Sequence, residues 1–432
     1  MVIIERFSRK TLADGVYFNT IYDDRFATSR LTAVFLTPIK DEKRCVAEKA
    51  VPQLLTRTCR EYPTFRELSK RLDYLYGMSL SSSGGKRGDL QSFMIAMGCI
   101  NDEFALGGES VCGEMAHMMC GLLFDPNVQN GAFDEENFRQ EKRQLIDDID
   151  AVYGEKRAYA RKQFYEFMCD GDPYGVDING TKEIVDALTA QGVYEVYKDM
   201  LRRARIEITF IGKTDPSSME KIFSERFAAV ERDYIAGQTN IVRRAESVRE
   251  KTDYDEVNQS KLMLGFRTDC ARGTNSEEEL AALDVMNAVL GGTAHSKLFN
   301  NVREKLSLCY YCVSSKEPLK GILTIESGVE KANIEKTKQA ILAEIEDMKN
   351  GNIGDDEIVT AKLSMENSIR SVLDSSSGTM GWYISQVLNG TTYTPEELIA
   401  MVNGVTKEDI VSMAKRLTLD TVYVLTGGEE VE

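Results

Sequence analysis

The side chains that most often do chemistry are scarce in this chain. Histidine, the commonest catalytic and zinc-binding residue, occurs only twice in 432 residues, at His117 and His295. His117 lies in "GEMAHMMCGLL", a Met-rich helical stretch that predicts a core or half-buried position. His295 follows a Gly-Gly turn at a helix start, which predicts a surface position. The two fall in opposite halves, and neither has a histidine or cysteine companion at ligand spacing. That argues against any histidine-dependent mechanism. Nine cysteines are scattered from Cys45 to Cys312, an odd number that suits reduced, mostly buried thiols better than a disulfide framework. One pair has suggestive spacing, Cys309 and Cys312 in "LSLCYYCVSS". A metal pair or a thioredoxin-type site needs two converging sulfurs, whereas residues three apart on a strand point to opposite faces. The spacing therefore predicts neither a metal nor a redox role. The acidic run "EKRQLIDDID", with Glu141 and Asp148, could in principle hold a cation; such a run reads more simply as the solvated face of a helix. "SGGKRGD" lacks the flanking strand and Ser/Thr of a phosphate-binding loop, and no Gly-x-Ser-x-Gly elbow is present.

The elements that must position these residues appear in the same order twice, roughly 230 residues apart. In the first half, "GVYFNTIYDD" and "SRLTAVFLTPI" read as strands from pattern and β-branched content. Two helices follow in "VPQLLTRTCREYPTFRELSKRLDYLYG", then a hairpin, "MSLSSSGGKRGDLQSFMIAMGCI". A long charged helix is predicted over 133–168, and "RIEITFIGKTD" closes the half as a strand. After a polar stretch at 236–256 the pattern resumes. It runs through strand "NQSKLMLGFRTD", helices to 305, strands "LSLCYYCVSS" and "GILTIESGV", long helices, and a final strand "TVYVLTG". Hairpin-paired strands with helices grouped between them predict an α+β fold. The expectation is two similar domains, residues 1–235 and 257–432 joined by the linker 236–256, each an antiparallel sheet flanked by helices.

Composition narrows the class further. Hydrophobic residues make up 42% and charged residues 28%, the profile of a water-soluble globular protein. No apolar run reaches the roughly 18 residues of a membrane-spanning helix, and "MVIIERFSRK" has no signal-peptide layout. A cytoplasmic protein is expected. The net charge of −16 is repelled by phosphate backbones and anionic lipid, which argues against nucleic acid and membrane surfaces as partners.

Two segments carry a resemblance to a known family: "DPYGVDINGTKEIVDALTAQGVYEVYKDML" (172–201) and "LGGTAHSKLFNNVREKLSLCYYCVSS" (290–315). With the order of elements, they make the chain similar over nearly its whole length to the pitrilysin/insulinase-type zinc metallopeptidases, in their half-length form. The second segment resembles the family's Gly-Gly-x-x-x-Ser-x-Leu-Phe run followed by Arg-Glu-Lys and a downstream Tyr. Active members carry His-x-x-Glu-His on a helix, the histidines binding zinc and the Glu activating its water. Laid on this sequence, that motif falls on "PQLLT". Pro52 and Thr56 stand at the histidines and Leu55 at the general base, with the distant third ligand most naturally at Asp148. Proline offers a metal no donor atom, leucine cannot accept a proton, and threonine is a poor zinc ligand. The resemblance thus implies an inactive homologue with no metal or other cofactor. The replacements also read as structure, with Pro52 suited to the first turn of a helix.

The family's substrate-binding Arg and Tyr do survive, at Arg303 and Tyr310. An Arg can bond a peptide carbonyl, and a Tyr hydroxyl can donate to an oxyanion; the structural alternative is a capping Arg and a core Tyr. In full-length members the zinc lies near the start of the chain and this pair near the end. A half-length chain would therefore lend its pair to the zinc site of a partner, in trans. The resemblance implies a non-catalytic subunit that pairs with a zinc-bearing homologue, or else self-associates, and helps to bind extended peptide. A stand-alone peptide-binding protein and a metallopeptidase with a non-standard site at Asp148 and Glu141 are the other readings. The opening half is also similar to a bacterial, non-peptidase branch associated with 5-aminopentanol modification of elongation factor P, a role no residue here explains.

Overall fold

The computed structural model describes residues 7–428; residues 1–6, part of the stretch read above for a leader, lie outside them. The chain opens with strands β1 (Phe7–Ala13), β2 (Val16–Tyr22) and β3 (Thr28–Pro38), then helices α1 (Glu42–Leu55) and α2 (Phe65–Tyr74). The hairpin β4 (Ser79–Arg87) and β5 (Leu90–Ile100) leads to α3 (Val111–Phe124) and a small ribbon, β6 (Val128–Gln129) with β7 (Ala132–Phe133). Helices α4 (Glu135–Gly154), α5 (Lys156–Met168), α6 (Lys182–Asp186) and α7 (Ala190–Arg203) precede β8 (Arg205–Gly212) and α8 (Ser217–Ala228). The second half runs β9 (Arg249–Tyr254), β10 (Ser260–Arg267), α9 (Glu277–Asn287), β11 (Cys309–Glu317) and β12 (Ile322–Val329). It ends with α10 (Ile334–Lys349), α11 (Asp355–Ser371), α12 (Ser376–Asn389), α13 (Pro395–Gly404), α14 (Lys407–Arg416) and β13 (Thr418–Thr426).

The fold is α+β, with two sheets dominated by antiparallel pairs and flanked by helices. One has six strands in the order β1-β2-β8-β3-β5-β4, the other five in the order β11-β12-β10-β13-β9. Each contains one parallel pair, β2 with β8 and β13 with β9. Strand β9 lies within the polar stretch 236–256. Its sequence, "REKTDY", gives only a half-exposed alternation, which suits an edge strand paired on one side.

Chain packing divides the molecule into two units, and neither is continuous in sequence. Among the described residues, one comprises 7–151, 176–238 and 372–392; the other comprises 152–175, 239–371 and 393–428. The long helix expected over 133–168 is therefore two. Glu155 breaks it, leaving the helical region and capping α5 by accepting from the backbone N–H of Arg157 and Ala158. Helix α4 belongs to the first unit up to Ala151, and α5 belongs to the second.

Each sheet buries both faces, one of them under a helix from the opposite half of the sequence. In the first unit the main core joins β2, β3, β5 and β8 to α1, α3, α7 and α8. The other face meets α12 through Ile21, Ile211, Met380 and Tyr383. In the second unit α9, α10, α13 and α14 cover one face. Phe164 and Met168 of α5 pack on Met263, Tyr423 and Leu425 across the other. Gly265 allows that approach, because a Cβ there would stand 2.5 Å from Met168 Sδ and 2.7 Å from Phe164 Cζ. Arg157 and Arg161 of α5 also clamp the buried Glu326 of β12 at 2.9 and 2.6 Å. Three charge-assisted bonds from these two arginines hold this carboxylate below its ordinary pKa against the opposing effect of burial.

Candidate functional site

Helix α1 begins at Asp41, whose carboxylate accepts the Arg44 N–H at 2.8 Å. Fourteen residues on it ends at Leu55, so Pro52 stands in the last turn rather than in the first turn that the sequence suggested. A proline there cannot donate to the carbonyl four residues back. The helix tolerates this because Pro52, Leu54 and Leu55 are all buried. Leu55, 2% exposed, belongs to the first unit's core, so the position of a general base is occupied by packing. Thr56 turns its hydroxyl back onto the carbonyls of Pro52 and Gln53, at 2.9 and 3.1 Å. Gln53 accepts from Ser82 of β4 at 3.0 Å. The polar groups of the motif thus satisfy one another.

One turn earlier, Lys49 donates to Asp148 Oδ2 at 3.0 Å and to Asn179 Oδ1 at 2.9 Å. Gln144 takes the other Asp148 oxygen at 3.0 Å. The one residue at a ligand position that keeps a metal-binding atom is thereby neutralised by a cation of the chain's own. Two turns back on α4, Glu141 is 4% exposed, and its Oε1 is buried without a hydrogen-bond partner among the described residues. Burial pushes its carboxyl up to about 7, and the negative charge of Asp148 adds to the effect. The positive charges of Arg57 and Lys49 oppose it. Among the described residues no three His, Cys, Asp or Glu side chains converge to hold a metal ion. This donor set does not fit zinc: a proline and a threonine whose hydroxyl is turned back onto the helix replace the two histidines, and an ammonium sits on the third ligand.

The second unit holds the other sequence-selected residues. Arg303 lies on the π-helical stretch Leu298–Lys305, its guanidinium 4.7 Å above the Phe299 ring and 3.6 Å from the Glu304 carboxylate. Tyr310 is on β11, the edge strand of the five-stranded sheet. It is 52% exposed and donates its hydroxyl to Glu330 at 3.2 Å, which is not the environment of a core tyrosine. Strand β11 is also irregular. Cys309 pairs with Val329 and Tyr311 with Gly328, leaving Tyr310 as the extra residue of a β-bulge. Unbroken alternation was therefore the wrong premise for Cys309 and Cys312, which the bulge brings onto one face. A signal was present in "GILTIESGV", since glycine inside a strand marks a bulge or a close approach. A Cβ on Gly328 would lie 2.4 Å from the Tyr311 ring.

His117 departs from expectation. It shares the solvent stripe of α3 with Glu114, is exposed, and lies 3.4 Å from the Glu61 carboxylate. The Met-rich residues around it form the buried faces, and the helix leaves this single strip outward. His295 is exposed as expected. Eight of the nine cysteines are buried and all nine are unbridged; Cys309 alone is half-exposed.

With the fold and both sites in view, the chain's relatives are informative. Residues 187–365 match the family described as "Peptidase M16 inactive domain". A Bacillus subtilis protein named "Probable inactive metalloprotease YmfF" is 30% identical over 421 residues, 97% of this chain and 98% of its own. A conserved protein from Enterococcus faecalis superposes with a TM-score of 0.91 at 28% identity, covering 99% of this chain and all of that one. The structure of a peptidase M16 inactive domain from Pseudomonas fluorescens shares the fold, with a TM-score of 0.79 at 14% identity over 99% of each chain.

The chain belongs to the M16 metallopeptidase family. Within it, it is an inactive homologue, whose zinc motif has become a packed helix.

Proposed function

We propose that this chain is the non-catalytic subunit of an M16-type peptidase, working in the cytoplasm beside a zinc-bearing homologue. In this reading Arg303 and Tyr310 help to hold an extended peptide at the partner's metal site. One observation carries it: the metal-binding end is filled with core and internal ion pairs, while Arg303 and Tyr310 keep their polar groups at the surface. A chain retained only as scaffold has no use for a tyrosine left exposed on an edge strand or for an arginine left at the surface of the helical stretch before it.

The test begins with a tagged full-length chain recovered from its native host and its co-purifying proteins identified by mass spectrometry. A near-stoichiometric homologue with His-x-x-Glu-His is expected. In the complex, Arg303→Ala should lower kcat/KM for peptide cleavage by about tenfold or more, the worth of one charge-assisted hydrogen bond at 1.5–3 kcal/mol. Cleavage at the wild-type rate would remove the trans role. Recovery of the chain alone, with micromolar peptide affinity, would favour a stand-alone peptide-binding protein.

A further inference from the structure

The Cys-x-x-Cys spacing, without chemical meaning on an unbroken strand, acquires one on a bulged strand. The extra residue at Tyr310 turns Cys309 and Cys312 toward the same side, where Cys312 joins the second unit's core and Cys309 packs against it. Each thiol acts on the ionisation of the other, and the Ser327 hydroxyl on β12, which donates to the Tyr311 carbonyl at 2.9 Å, acts on both. The positive charge of Arg303 faces Cys309 alone. The two are unequally placed: Cys312 is 1% exposed, whereas Cys309 opens the edge strand half-exposed. Just before it, Ser307 has a backbone φ of 50°, so the strand enters from an irregular turn rather than from a helix packed to its end.

The electrostatics divide the labour further. Cys312 is the largest influence on Cys309 and, with Ser327 and Arg303, draws its thiol down to about 7 against the effect of burial. Cys312 is held well above the ordinary thiol range by Cys309 and by its own burial. A nucleophilic thiol is one that is substantially ionised and reachable. Cys309 meets both conditions, and its neighbour is poised behind it. A second close pair provides a contrast within the molecule. Cys99 and Cys112 have sulfurs 3.7 Å apart, but they are only 5% and 0% exposed, so an oxidant has no path to them.

We propose that Cys309 and Cys312 form a reactive dithiol that exchanges with low-molecular-weight disulfides. The Cys309 thiolate attacks one sulfur of the disulfide, forming a mixed disulfide, and the leaving thiolate takes up a proton. Cys312 then loses its proton and attacks the Cys309 sulfur, releasing the second small thiol. Two protein thiols are oxidised to one internal disulfide and one small disulfide is reduced to two thiols, with no other electron donor or acceptor. An S–S bond requires Cα atoms closer than about 7 Å, which three residues of unbulged strand at about 3.3 Å each exceed; closure depends on the bend at Tyr310. The proposal does not depend on the subunit reading above.

The experiment uses the full-length folded chain, oxidised glutathione as probe, alkylation of the remaining thiols, and peptide mass spectrometry. The expected product has lost two hydrogens, located between Cys309 and Cys312, with the other seven cysteines alkylated only after unfolding. Cys312→Ala should stop at a glutathione adduct on Cys309, and Cys309→Ser should not react at this strand. The proposal fails if the wild-type chain keeps both thiols alkylatable, or if it accumulates the mixed disulfide without closing. It fails equally if Cys99 and Cys112 oxidise first. The wild-type result stands even where a variant folds poorly.

Discussion

Pro52→His/Thr56→His, which restores both imidazoles at the family's spacing, is expected to bind zinc poorly. Adding Lys49→Met should then raise the affinity by at least tenfold. Positions 52 and 56 are four apart and share a helix face, so the double variant supplies two nitrogens where the family has them. The third ligand position is the obstacle. Asp148 accepts the Lys49 ammonium at 3.0 Å and the Gln144 amide at 3.0 Å, so zinc must displace a resident cation before it can use the carboxylate. The attraction of unit charges about 4 Å apart is worth about 4 kcal/mol at an effective dielectric constant near 20. Part of that is recovered when the freed lysine reaches water, because its side chain is already partly exposed. Changes to groups that bond a metal's ligands typically alter affinity by 10–100-fold, consistent with this range. Calorimetric zinc titration of the two variants decides it, and equal affinities would mean that Lys49 does not guard the site. Leu55 is left untouched here because a carboxylate at that core position would destabilise the fold.

The sequence made the larger architecture legible for a physical reason. Strands such as "SRLTAVFLTPI" and "RIEITFIG" carry continuous apolar, β-branched character because their sheets are buried on both faces, as Ile206 and Ile208 on one side and Ile211 on the other demonstrate. The motif at 52–56 was equally legible, since proline and leucine cannot ligate metal in any conformation. What escaped depended on contacts distant in sequence. The break at Glu155 is one charged residue acting as a cap within a strongly helical run, and only the packing of α5 on Met263 and Tyr423 makes ending α4 there profitable. Strand β9 looks polar because it needs a hydrogen-bonding neighbour more than a buried face. The bulge at Tyr310 inverts side-chain direction with one inserted residue, and no composition or period registers a phase change of that size. The Lys49–Asp148 pair joins residues 99 apart, beyond the reach of any local pattern.

Glu141→Gln is expected to stabilise the protein by about 2–4 kcal/mol at pH 8 and to change little below about pH 4.5. The carboxyl is pushed up to about 7 in the folded chain, mainly by burial, while an unfolded chain leaves it near the ordinary value of about 4.3. Between these values the folded state holds the proton and the unfolded state has released it, so rising pH favours unfolding. The penalty is absent below the unfolded value, grows through roughly pH 4.5–7, and is constant above. At about 1.4 kcal/mol per pKa unit it reaches about 4 kcal/mol. Arg57 and Lys49 reduce this penalty and Asp148 increases it, yet none donates a hydrogen bond to the buried Oε1, so the charge remains unsupported. Glutamine keeps the shape and removes the charge; its amide must still find partners, which sets the lower end of the range. Chemical denaturation of both proteins at several pH values tests the argument, because their difference cancels the titration of every other group. A gap of the same size at pH 5 and pH 8 would show that Glu141 carries no burial penalty, and that the former metal-binding face of this helix pair is better hydrated than the structure indicates.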